Sequence, residues 1–210
     1  MRGRLILLSV LFSSFMASYS YASFNKKPEL RWQNTFRYDT RGKHQDLYIS
    51  RLSGRFTYND TLDKQLFKLE PFFESRLNTS WDIWERYELG CEIGKDIFPW
   101  FYIGQTVHQA WVREDYKHYS RNKRRDYTEA RTRILFSHDL FPVKNVMLKG
   151  FALAEYNYDL SAGAGVRNEV AIGTTAPLCK NLEATLNWRH VDRIHDFDTD
   201  NIEISATLIF

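Results

Sequence analysis

Arginine and glutamate recur two residues apart along most of this chain, and that spacing is the first sign of chemistry. Arg31 and Arg37 lead, followed by Arg51 and Arg55, then Lys68, Glu70, Glu74 and Arg76, then Arg86, Glu88 and Glu92. Glu129, Arg131 and Arg133 continue the series, as do Lys149 and Glu155, Arg167 and Glu169, Glu183 and Arg189, and Glu203. Side chains two apart share one face of an extended strand. These groups would therefore stack as ladders, twelve bases against nine acids. Such ladders can pair through charge-assisted hydrogen bonds or line a water path whose fixed charges set selectivity. The excess of bases would favour anions mildly.

Catalytic constellations are scarce. His118 and Ser120, with Glu129 beyond them, resemble a lipid A deacylase in letters, but they fall in a charged connection that holds no register. His195, Asp196, Asp198 and Asp200 cluster in the last connection, where acids face water or hold a divalent cation loosely. No Cys/His group has metal-ligand spacing, so neither a metal nor a cofactor is expected. Cys91 is placed on the apolar face of a strand and Cys179 in a turn, and two cysteines make no disulfide framework. Residues 113–125 carry six bases and two acids beside Tyr116 and Tyr119. Arg113, Lys117, Arg121, Lys123, Arg124 and Arg125 could contact lipopolysaccharide phosphates there; the plainer expectation is a solvated loop.

The elements that must position the ladders read with a period of two. Leu30, Trp32, Phe36 and Tyr38 alternate with Arg31, Gln33, Thr35 and Arg37. Tyr48, Leu52, Phe56 and Tyr58 alternate with Arg51, Ser53 and Arg55, and Phe67, Leu69, Pro71 and Phe73 with the charges of 68–76. The same holds for Tyr87, Leu89, Cys91 and Ile93, and for Ala130, Ile134 and Phe136. Ala152, Ala154 and Tyr156 follow, then Val166, Val170 and Ile172, then Leu182, Ala184, Leu186 and Trp188. A segment over 99–112 alternates less cleanly, with Phe101, Ile103, Val107 and Trp111 as its apolar side. The count is ten strands, with turns expected at Arg41-Gly42, Asn59-Asp60, Asn78-Thr79-Ser80, Phe98-Pro99, Phe141-Pro142, Ser161-Ala162-Gly163 and Ala176-Pro177.

Arg2 and Arg4 precede a short apolar run, Leu5 to Phe15, and Ser20-Tyr21-Ala22 supplies small residues at a cleavage position. Residues 1–22 are therefore expected to be a cleaved secretory signal, with a single domain over 23–210. A net charge of +3, 16% aromatic residues and a mean hydropathy of −0.48 do not describe a helical membrane protein or a polyanion binder. Nucleic acid is not an expected partner.

Two features give the alternation its direction. Rings collect near strand ends on the apolar face (Tyr38, Tyr58, Phe67, Phe101, Trp111, Phe136, Tyr158, Trp188), as interfacial girdles do. The last strand runs Ile202, Ile204, Ala206, Leu208, Phe210, and this terminal pattern resembles the assembly signal of bacterial outer-membrane barrels. In size, strand number and Arg/Glu ladders the chain resembles the short outer-membrane barrel families of unknown function. It is also similar in style to the acidic-oligosaccharide porins, but those have twelve strands and their substrate does not carry over.

The expected molecule is an all-β, single antiparallel transmembrane barrel of about ten strands with short turns, in the outer membrane of a diderm bacterium. The resemblance implies membrane lipid, lipopolysaccharide and the barrel assembly machinery as partners. The interior would be either a pairing lattice or a narrow channel for small solutes, without catalysis. The rivals are an outer-rim lipid-modifying enzyme and a soluble periplasmic barrel that binds a ligand inside an apolar core.

Overall fold

Branched and aromatic residues alternating with polar ones suit a strand that meets two different environments. Ten such strands form: β1 (Glu29–Asp39), β2 (Leu47–Asn59), β3 (Gln65–Asn78), β4 (Ile83–Phe98), β5 (Phe101–Val112), β6 (Tyr127–Val143), β7 (Val146–Asp159), β8 (Ala164–Cys179), β9 (Leu182–Arg193) and β10 (Thr199–Ile209). The structure, a computed structural model, describes residues 28–42, 46–59, 65–115, 125–143, 146–194 and 198–210. The segment expected to be a signal lies outside them. Each strand pairs antiparallel with its sequence neighbour, and β1 pairs with β10 from Arg31↔Ile209 to Asp39↔Asn201, so the sheet closes into a barrel. Closure leaves no open sheet edge, as a membrane-spanning sheet requires.

Exposure fixes which face is outside. Ile172 (61%), Ile204 (59%) and Leu89 (55%) lie open on the outer surface, whereas Glu88 and Glu129 keep 1% each. The apolar face is therefore outward and the charged face inward, the reverse of a soluble ligand-binding barrel. Outside, Phe98, Trp100, Phe101 and Phe136 stack at one end with centroids 4.9–6.1 Å apart, and Trp84 stacks on Tyr87 near the other. These are two aromatic girdles with an aliphatic belt between them. Phe67, expected among the exposed rings, is instead covered, stacked on Tyr58 at 4.4 Å.

The two ends differ. At one, three connections (99–100, 144–145, 180–181) have two residues each and 60–64 has five. At the other, the connections have seven, four, fourteen, four and five residues. Short periplasmic turns and longer external loops are the rule for these barrels, which puts the start of β1 at Glu29 and the end of β10 at Ile209 on the periplasmic side.

Several local expectations need correction. Phe141-Pro142 lies inside β6 and Ala176-Pro177 inside β8, both beside register shifts where a missing N–H is tolerated. Cys179 closes β8 instead of sitting in a turn; Cys91 and Cys179 are both free. Another shift, pairing Arg76 with Arg86 but Leu77 with Trp84, leaves Glu85 as an extra residue on β4. That bulge turns both Glu85 and Arg86 inward.

Candidate functional site: a charged lumen

The lumen is built from the inward residue of every strand pair. Arg37 of β1 reaches Glu203 of β10 at 2.6 Å, and Glu203 also accepts from Arg189 of β9 at 3.1 Å. Arg189 continues to Glu169 (2.8 Å) and Glu155 (3.2 Å), on β8 and β7. Arg167 donates its Nε to Glu169 at 2.6 Å and forks onto both oxygens of Glu129 at 2.9 Å each. The β6 carboxylate Glu129 lies 3.8 Å from His108 Nε2 on β5, which lies 3.5 Å from Glu88 on β4. Glu88 takes Arg86 at 2.6 Å and Arg76 at 3.2 Å, and Arg76 donates to Glu74 at 2.7 Å. Glu74 ends the chain 3.8 Å from Arg51 of β2. All ten strands contribute to this belt.

Its energetics depend on completeness. A buried charge without a partner costs several kcal/mol, so carboxylates and guanidiniums survive here only together. The planar fork of arginine supplies two or three directed donors per group, which lysine would not. The weak point is His108, 2% exposed, whose two ring nitrogens find no hydrogen-bond partner, as is also true of Glu88 Oε2. Gly90 lies directly across the sheet from His108, where an added Cβ would come 2.5 Å from His108 Cβ and 2.6 Å from Phe72 Cζ. Tyr102 likewise lies across Gly94 and Gly104 while donating to Glu92 at 2.6 Å.

Shorter side chains lie between these charges. Besides Arg31, Arg37, Arg167, Glu169, Glu183, Arg189 and Glu203, the inward positions from β8 through β9 and β10 to β1 include Thr175, Thr185, Asn187, Ser205, Thr207, Thr35 and Gln33. The latter are hydroxyls and amides, short enough to leave space. Thr35 and Ser205 share a hydrogen bond of 2.8 Å, and Thr175 and Thr185 one of 3.0 Å. Along the lumen runs a cavity of about 730 Å³, lined by Arg31, Lys68 and Lys149 toward the periplasmic end and by Leu47, Arg193 and Thr199 toward the other.

Nineteen of the sequence-derived lumen charges line this cavity: Arg31, Arg37, Arg51, Arg55, Lys68, Glu70, Glu74, Arg76, Arg86, Glu92, Arg131, Arg133, Lys149, Glu155, Arg167, Glu169, Glu183, Arg189 and Glu203. Glu88 and Glu129 lie buried in the belt behind it. Sequence reasoning missed Glu85 and Asp96, which pair with Arg86 (2.8 Å) and Lys68 (2.7 Å), and also Arg193. The basic excess is correspondingly smaller. A bulge hides Glu85, and a register shift follows Asp96. His108 was missed because the inner face of β5 carries no charge to mark it.

Elsewhere the candidates do not converge. Arg113 and Arg125 are exposed, Arg113 pairing with Asp115 at 3.1 Å; Lys117, Arg121, Lys123 and Arg124 lie outside the described residues, as do His118, Ser120, His195 and Asp196. Asp200 pairs with His190 at 2.8 Å and with Arg41, and Asp198 accepts from the Arg193 amide at 3.2 Å. Among the described residues no group of three His, Cys, Asp or Glu could hold a metal ion. On the β10 outer face Ile204, Ala206 and Phe210 are exposed and Leu208 is partly so, and the Phe210 amide donates to Leu30 O at 2.9 Å.

No family model and no curated protein matches the chain. Among solved structures it is similar to the KdgM porin, at 8% identity and a TM-score of 0.44 over 87% of this chain and 99% of that one. It is similar to the NanC porin at 10% identity and 0.44, over 85% and 98%. The transport unit of the autotransporter AIDA-I from Escherichia coli overlaps at 8% identity and 0.39, over 92% and 94%. What this barrel does must come from its own lumen. Its outward apolar belt, paired girdles, closed antiparallel sheet and asymmetric ends make it a ten-stranded transmembrane barrel of the bacterial outer membrane.

Proposed function

We propose that the barrel is a narrow, water-filled channel for small hydrophilic solutes. The observation that carries this reading is the cavity of about 730 Å³ whose lining runs from Lys68 and Lys149 at one end to Arg193 and Thr199 at the other. Averaged over a hydrocarbon belt of about 25 Å, that volume gives a section of roughly 30 Å², enough for water and small solutes in file. The belt, to which all ten strands contribute, acts as the scaffold that keeps the lumen rigid. Planar bilayers test this: the folded protein should give small, discrete conductance steps that heat-denatured protein does not. Absence of steps from demonstrably folded protein would sink it.

The second reading, a structural barrel closed by its own charges, is favoured by one observation, the continuity of the belt through all ten strands. It expects no conductance at all. A rim enzyme is disfavoured because Glu129, the acid that would complete a His118–Ser120 pair, is 1% exposed and clamped on both oxygens by Arg167. Contact between the 113–125 bases and lipopolysaccharide phosphates is a compatible accessory role, motivated by their charge and their place at the external end.

A further inference from the structure

We propose that the periplasmic half of the lumen binds small organic anions with a short apolar tail, medium-chain carboxylates being the simplest. The site is Lys149 with a patch of Leu135, Phe151 and Leu153. Passage of such anions rests on the channel reading above, whereas their binding needs only the cavity. Thirteen bases and nine acids line that cavity, with Glu88 and Glu129 behind it, so its field favours anions. Most of the bases are committed to carboxylates. At the periplasmic end Arg31 meets Glu183 at 3.0 Å, Arg55 meets Glu70 at 2.9 Å and Lys68 meets Asp96 at 2.7 Å. Lys149 is exposed and has no hydrogen bond or ion pair among the described residues, although Asp139 stands opposite it on β6. Of these four cavity-lining cations it alone is left for a ligand.

The neighbours of Lys149 on the same face supply the rest. Inward positions on β7 run Lys149, Phe151, Leu153, Glu155, and on β6 Leu135 and Ser137 stand opposite Leu153 and Phe151. Leu135, Phe151 and Leu153 all line the cavity and are half-buried. The inward Ile49, Phe72 and Val191, by contrast, are covered. A wall that passed only water and ions would be served by hydroxyls, as it is at Thr175, Thr185 and Thr207. Apolar side chains there stay in unfavourable contact with water until an apolar group covers them. Positions two apart on a strand are separated by about 7 Å, so a carboxylate on the Lys149 ammonium lays a tail of a few carbons over Phe151 toward Leu153 and Leu135. Beyond them Arg133 and Glu155 pair at 2.7 Å and end the patch with a polar edge, which limits the tail.

Methyl NMR of the folded full chain in nanodiscs tests the site, with leucine methyls labelled and hexanoate as the probe. Hexanoate should shift Leu135 and Leu153 saturably and leave the outward Leu89 and Leu186 in place. Acetate, shorter by four methylenes, should bind about tenfold more weakly. Hexylammonium, with the same tail and the opposite charge, should not saturate. Lys149→Gln should weaken hexanoate about threefold and Lys149→Arg should restore it. Phe151→Ser should bring hexanoate toward the affinity of acetate, and heat-modifiable gel mobility verifies folding of each variant. Equal shifts at inward and outward leucines would mean partition into lipid and overturn the site. Saturable hexylammonium binding, or unchanged affinity in Lys149→Gln, overturns the anion class, and equal affinity for acetate and hexanoate overturns the apolar patch. Planar bilayers separate this from the channel reading. Saturable Leu135 and Leu153 shifts without any conductance would defeat the channel and leave the site, whereas conductance without those shifts would do the reverse.

Discussion

Glu88 is a junction of the charge belt, between β3, β4 and β5. It keeps 1% exposure and receives Arg76 and Arg86, with His108 beside its second oxygen. Glu88→Ala takes one carboxylate from each of two buried guanidiniums, Arg76 keeping Glu74 and Arg86 keeping Glu85, and should cost roughly 3 kcal/mol, read as a lower temperature of heat-modifiable mobility. Glu183→Ala is the control: its carboxylate meets Arg31 at 3.0 Å but is 33% exposed, so water replaces it and the loss should stay under about 1 kcal/mol. Glu74→Ala combines both signatures. It takes the nearest carboxylate from Arg51 and one of two from Arg76 beside the cavity, so stability should fall and anion preference should rise in bilayers. Equal melting of the Glu88 and Glu183 variants would show that the belt is hydrated throughout.

At the scale of the element, close approach decides what a strand can carry. Gly90 of β4 lies across from His108, and Val107 O sits 2.8 Å from where a Cβ would be. Gly90→Val therefore pushes into backbone and into the belt at once, and should destabilise the β4–β5 pair more than Val substitution at exposed Ala152 of β7. Comparable melting of the two would refute the packing argument. β10 raises a different question. Phe210 exposes 66% of its surface on the apolar side while its amide closes the seam to Leu30. Phe210→Ala leaves that backbone bond intact, so assembled protein should melt nearly as wild type. The yield in the outer membrane should nonetheless drop if the ring is read during assembly. Wild-type yield would remove the assembly role.

For the whole molecule, orientation follows from the unequal ends. The fourteen-residue connection between β5 and β6 belongs to the long-loop end and the five-residue 60–64 connection to the other. Trypsin added to intact cells should cut within 113–126, rich in arginine and lysine, and spare Lys64. Cleavage at Lys64 with the 113–126 segment intact would invert the barrel. Orientation matters for function because Lys149 and Lys68 then face the periplasm and Arg193 the outside.

Strand positions and faces were legible in the residues themselves, because a period of two is a local property: Arg167 and Glu169 must share a side whatever surrounds them. Alternation also named most of the lumen charges, and the terminal run through Phe210 identified the outward face of β10. It could not name their partners. Arg31 meets Glu183 across 152 residues, a pairing set by closure of β1 on β10 and the stagger of the strands, which no local pattern encodes. Glu85 escaped because a bulge breaks the period, and His108 because the faces of β5 differ little in polarity. The space inside was also decided by tertiary structure alone. Long arginine–glutamate pairs and the short Thr, Ser and Asn side chains between them come from strands far apart in sequence, and only the closed cylinder gathers them around one cavity.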